Sequence, residues 1–272
     1  MGDLDPTDPI NLEIGRLPFK HANLDLSRWS NAFRSWPSPI PGWRNWYLRV
    51  SEAKSTIWEV YDINQCINFS LFNMAKNESM LIVAAHFWSD AMNAFLFGRG
   101  SMTPTLIDVI MLTSLNISAL DNPFHLMTKP TYQLKTKDAG GWKGYMAHHM
   151  KTSTVTDRDH VAFLNMWLER FIYCGKTVGP TTNPQAITEA LVSGHSIPLG
   201  KHLLGSVYSL LHNVSAKLAT GQPITNPGGP WWLINLWLNL YMHKTLQQDP
   251  TSMSFCHTLK ISILICEIEN SG

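Results

Sequence analysis

"GPWWLINLWLNLYMH", residues 229–243, decides the fold of this 272-residue chain. It reads either as a membrane anchor or as the buried centre of a helical bundle. From Pro230 to Met242 there are 13 residues, short of the ~20 that a helix needs to cross a bilayer. Asn235, Asn239 and His243 recur at i, i+4 and i+8 and draw one polar stripe along the helix. Those groups would be costly unpaired in lipid, whereas inside a bundle each finds a partner. The stretch therefore predicts a core helix over about 230–248, apolar on nearly every side. Trp231, Trp232 and Trp237 supply its bulk, with Asn235 and Asn239 as its hydrogen-bonding points.

The whole chain fits that setting. Hydrophobic residues make up 44%, enough for a substantial core, and 21 Lys and Arg stand against 20 Asp and Glu. Such balance gives no strong overall field toward nucleic acid or an anionic membrane. Eleven tryptophans point to a core or an interface rich in indoles. The acidic, proline-broken start "MGDLDPTDPINLEIG" has neither the basic nor the apolar region of a secretory signal, so an intracellular protein with no membrane contact is expected. Cys66, Cys174, Cys256 and Cys266 are scattered without metal-ligand spacing and read as reduced thiols.

Outward from the central stretch, helical periodicity dominates. Residues 1–41 are proline-rich and read as an extended arm; 42–272 read as one mainly α domain. Apolar spacing predicts helices over about 43–54, 55–73, 77–90, 139–151, 157–173, 184–194, 199–219 and 257–268. Asn77 is the expected N-cap of the 77–90 helix, which carries Trp88. "NAFLFGRGSMTPTLIDVIMLTSLNI" predicts a small β-hairpin containing Phe95 that turns at Gly98–Gly100. A helix follows, with Thr103 as N-cap and Pro104 in its first turn. In "DRDHVAFLNMWLERFIYC", Val161, Leu164, Trp167, Leu168 and Phe171 fall on one side.

Catalytic signatures are sparse. "RFIYCGKT" (170–177) ends like a phosphate-binding loop, but Arg170 stands where glycine is required and no strand precedes it. Adjacent His148 and His149 point about 100° apart on a helix, and with His160, Asp157 and Asp159 they lack ligand spacing. No catalytic residue, metal or cofactor is therefore expected. Two surfaces remain. Between 129 and 176, eight Lys and Arg face four acids; Lys135, Lys137, Lys143, Lys151 and Arg158 could follow a nucleic-acid backbone, with Trp142 and Tyr145 to stack on bases. Trp36 and Trp43 near the arm, and Arg99 at the hairpin tip, are candidate anchors for a protein partner.

Four blocks in order carry a family likeness. "HFWSDAMNAFLFGRGSMTPTLIDVIMLTSLNIS" (86–118), "FLNMWLERFIYC", "IPLGKHLLGSVYSLLHNVSA" and "GGPWWLINLWLNLYMHK" (228–244) resemble the plant mobile domain, over about residues 40–248. Asp108 matches an acid of the family pattern. Ile107 stands where a second acid is common, which removes a charge from the first helical turn. The resemblance implies a nuclear plant protein of the maintenance-of-meristems type, or a retrotransposon-borne copy, acting in gene and transposon silencing. It also implies a phosphoprotein phosphatase of the plant PP7 type as partner. The family is sometimes labelled aminotransferase-like, but a pyridoxal-phosphate enzyme needs a lysine, a phosphate cup and a scaffold to hold them. A non-enzymatic interaction scaffold is therefore the leading expectation, with nucleic-acid binding through 129–176 as the alternative.

Overall fold

The computed structural model describes residues 26–97, 100–121, 126, 129–151 and 154–246. Within them the helices gather around two buried centres. The first is α9 (Trp231–Leu246), the helix expected from the opening stretch. Trp231 through Asn239 are all buried. Its polar stripe is paired as an enclosed helix requires. Asn235 accepts from the Asn77 N–H at 3.2 Å and donates to the Ala75 carbonyl at 3.2 Å, while Asn239 donates to the Asn235 carbonyl at 2.7 Å. The His243 side chain lies outside the described residues. Around α9 stand α3 (Glu78–Ala85), α4 (Leu106–Thr113) and α8 (Leu199–Ala219). Among the described residues no helix is long and apolar enough to cross a membrane.

The second centre is α6 (Asp157–Met166), which continues as a π-helical turn, Trp167–Tyr173. Instead of one apolar side, every residue from Asp159 to Glu169 is buried. Surrounding it are α1 (Trp43–Val60), α5 (Gly141–His149) and α7 (Gln185–Val192). Phe163 is the pivot. It stacks on Trp43 at 4.8 Å and on Trp58 at 5.4 Å, and meets Trp46 edge-on at 5.4 Å. Each such ring pair adds about 0.5–1.5 kcal/mol beyond the area it buries.

Several boundaries differ from expectation for local reasons. The helices expected at 43–54 and 55–73 are one long helix, α1, followed by α2 (Asn64–Phe69). The break falls at Asp62, whose φ of 56° is a left-handed conformation that Asp tolerates. Asn77 does cap α3, accepting from the Met80 N–H at 3.0 Å. That helix stops at Ala85 because Trp88 enters β1 (Trp88–Ser89), the edge of a three-stranded antiparallel sheet. β1 pairs with β2 (Ala94–Phe97), and β2 with β3 (Gly100–Met102), setting Trp88 opposite Phe95 and Phe95 opposite Met102. The hairpin tip, Gly98 and Arg99, lies outside the described residues, as do the helix expected at 257–268 and Cys256 and Cys266.

The cap of α4 is a correction. Thr105, not Thr103, is the N-cap, and Pro104 precedes it. The Thr105 hydroxyl accepts from the Asp108 N–H, and the Asp108 carboxylate accepts from the Thr105 N–H at 2.7 Å. This reciprocal box satisfies two otherwise free donors, so the acid missing at Ile107 does not leave the helix start bare. Thr103 instead donates to the Asn93 carbonyl at 2.7 Å, fastening the hairpin.

Residues assigned to the arm also join the fold. Trp29, Ala32 and Phe33 are buried, with Trp29 and Phe33 edge-on to Trp231 at 6.1 and 5.3 Å. The Arg28 carbonyl accepts from the Ile224 N–H at 2.7 Å. Between residues 28 and 41 the arm is thus anchored to the fold at Trp29, Ala32, Phe33 and Pro37; residues 1–25 lie outside the described residues.

Candidate functional site

The expected partner anchors are placed unequally. Trp43 is 0% exposed and donates to Ser70 Oγ at 2.9 Å, so it presents nothing to a partner. Trp36 is half-buried and donates to the Met74 carbonyl at 3.0 Å, with the Lys76 ammonium over its ring. Both indoles serve the interior, because a tryptophan in a chain of this composition finds more apolar surface inside than out. The remaining aromatic candidates are likewise core. Trp88 and Phe95 meet at 5.0 Å, Phe95 stacks on Trp237 at 5.6 Å, Trp167 is fully buried, and Trp232 donates to the Ile172 carbonyl at 2.8 Å.

The basic segment is partly assembled. Lys135, Lys137, Lys143, Lys151 and Arg158 are all exposed. Three of them converge on His148, whose pKa is lowered by burial and then by the charges of Lys135, Lys151 and Arg158. Arg158 also donates to the Gln133 carbonyl at 3.1 Å, drawing the 133–135 stretch against the start of α6. Lys137 and Lys143 are not among the charges felt at His148. Acids trim the edge of the cluster: Lys54 pairs with Asp157 at 2.9 Å and Arg49 with Asp159 at 3.8 Å. Trp142 and Tyr145 are buried, so the stacking partners expected for bases are absent from this surface.

The histidines and acids that could do chemistry are separately engaged. His160 Nε2 accepts the Trp58 indole N–H at 2.9 Å, which places its proton on Nδ1. Burial, with help from Lys54, holds its pKa down to about 4. Burial, then His148 and Arg158, hold His149 at about 4 as well. Among the described residues no group of three His, Cys, Asp or Glu could hold a metal ion. "RFIYCGKT" closes the π turn and reverses at Cys174, φ 48°, with the Gly229 N–H bonded to its carbonyl at 2.6 Å. A cavity of about 20 Å³ between Pro37, Cys66, Met74 and Trp232 is the size of one water molecule.

Glu189 and Glu169 were not singled out in the sequence, and Asp108 was singled out only through the family pattern. Glu189 accepts from the Thr131 and Tyr132 N–H groups at 2.8 and 3.0 Å and from Gln185 at 2.7 Å, tying the 130s loop to α7. Glu169 accepts from the N–H and hydroxyl of Thr181; burial raises its pKa against those bonds. Asp108 accepts the Tyr241 hydroxyl at 2.5 Å beyond its capping duty, and that bond pushes the phenol up to about 12. A buried acid beside a turn was the available signal in the first two; nothing local could have linked Asp108 to a residue 133 positions away.

No curated protein and no solved structure matched the chain. The plant mobile domain family model matches residues 62–262. That span contains all four quoted blocks, among them the capped α4 with its hairpin and the buried α9, and covers well over half of the sequence. The chain belongs to the plant mobile domain family.

Proposed function

We propose that this plant mobile domain is a non-enzymatic protein-interaction scaffold that works in the nucleus in gene or transposon silencing. The observation that supports the reading is how its reactive groups are spent. His160, His149, Glu169, Glu189 and Asp108 sit apart, and all but His149 make the structural hydrogen bonds described above. Side chains so held make a rigid body well suited to displaying a surface. The partner taken from the family resemblance is a phosphoprotein phosphatase of the plant PP7 type. Mixing the two purified proteins and measuring co-elution and heat of binding tests it. A stable complex is expected; no association at concentrations of tens of micromolar would remove that partner.

The exposed Lys135, Lys151 and Arg158, whose charges all lower the His148 pKa, support a second reading, contact with a nucleic-acid backbone. With Trp142 and Tyr145 inside, such contact would rest on phosphates alone and so depend steeply on salt. Replacing all three by Gln should lower the salt slope by about 2–3. Binding that ignores salt counts against it.

A further inference from the structure

One side of α4 carries apolar residues outward. Val109, Leu112 and Thr113 face the core, while Ile107, Ile110 and Met111, at i, i+3 and i+4, face away, with Ile107 68% and Met111 52% exposed. Tyr241 lengthens this strip. Its hydroxyl bond to Asp108 holds α9 beside the first turn of α4. From Tyr241 the helix runs five residues to Leu246, about 8 Å at 1.5 Å per residue. The described part of α9 therefore reaches Leu246 within two helical turns of the exposed strip.

Residues 247–272 lie outside the described residues, but their sequence contains "LKISILICEIE" (259–269). There Ile261, Leu264, Ile265 and Ile268 recur at i, i+3, i+4 and i+7, the spacing of one helical face, with Lys260, Glu267 and Glu269 at polar positions. The 14 residues from 247 to 260 can span up to about 45 Å, several times the length of α4. They include Asp249–Pro250, a pair that favours a turn. We propose that Ile261, Leu264, Ile265 and Ile268 cover the Ile107, Ile110 and Met111 strip of the same molecule. A tether of this length supplies an effective concentration of order millimolar, so the segment outcompetes a second copy at ordinary protein concentrations. The occupant is thus this chain's own segment, and the proposal stands apart from the phosphatase reading.

Oxidation of Met111 by dilute peroxide in the full chain is the test, followed by mass spectrometry, with buried Met146 as the internal control for folding. Met111 should react slowly in the native chain and about fivefold or more faster in the full-length Ile261→Asp, Ile265→Asp variant, with Met146 protected in both. Native Met111 reacting as fast as an unprotected methionine overturns the proposal, and it does so whether or not the variant folds. Protection that rises with protein concentration, together with a dimer on size exclusion, assigns the strip to a second copy and overturns it too. Protection unchanged in a folded variant also overturns it.

Discussion

Helices α6 and α9 are both enclosed, yet they reach the interior by different chemistry. α9 is apolar almost throughout, and its two asparagines bond to their own helix and to the loop before α3. α6 begins "DRDH" and carries Asp159, His160 and Asn165 into burial. It can do so because partners come from far along the chain: the Trp58 indole for His160, the Thr181 carbonyl for Asn165 at 2.9 Å. The contrast teaches that apolar composition is not necessary for burial. A polar helix enters a core when most of its polar atoms are met there; His160 Nδ1 is an exception, buried with no partner among the described residues.

The comparison can be broken most forcefully at its aromatic pivot. Trp43→Ala removes the ring stacked on Phe163 and Phe171 and should cost about 3–5 kcal/mol. Chemical denaturation measures this, and a loss under 1 kcal/mol would show that α6 does not depend on that stack. Next comes acid. His160 titrates near 4 in the fold against 6.5 in an open chain, so the unfolded form takes up the proton first as pH falls. Stability should drop between about pH 6.5 and 4, by about 3 kcal/mol from this group, with His149 acting in the same direction. Melting temperature against pH should be visibly flatter in His160→Gln, which keeps an acceptor for Trp58. An unchanged slope would mean that the polar centre is not the acid-sensitive one.

On the α9 side, Asn235→Ala strands the Asn77 N–H and the Ala75 carbonyl and should cost about 1–3 kcal/mol at neutral pH. That loss should be independent of pH between 4 and 7, unlike the response of α6. The smallest expected effect is Thr105→Ala, about 1 kcal/mol from the cap of α4. Equal loss from Thr103→Ala with none from Thr105→Ala would return the cap to the position that the sequence suggested.

Legibility followed the same division. The 199–219 helix appears with the predicted ends, and α9 starts within a residue of its expected position, because each carries a continuous helical apolar pattern. The all-round burial of α6 was hidden, since its partners lie 102 and 16 residues away and no window of sequence contains them. The α4 cap was misplaced by two positions because Pro104 is itself a strong start signal. The Thr105-x-x-Asp108 box carries Asp in place of the more usual Glu, a weaker cue. β1 has two residues, too few for any alternation to register. For the candidate surfaces, residue type could not tell an outward indole from an inward one, so Trp43 misled.

The lateness of α9 in the chain has a consequence for synthesis. Trp231, Trp232 and Trp237 are made after every helix they pack against, and Phe33, Phe95 and Ile172 meet them only then. On the ribosome the helices that precede Pro230 must wait with an open seam, and chaperones that bind exposed apolar chain would find it there. A product ending before Pro230 would keep that seam exposed and be prone to aggregate.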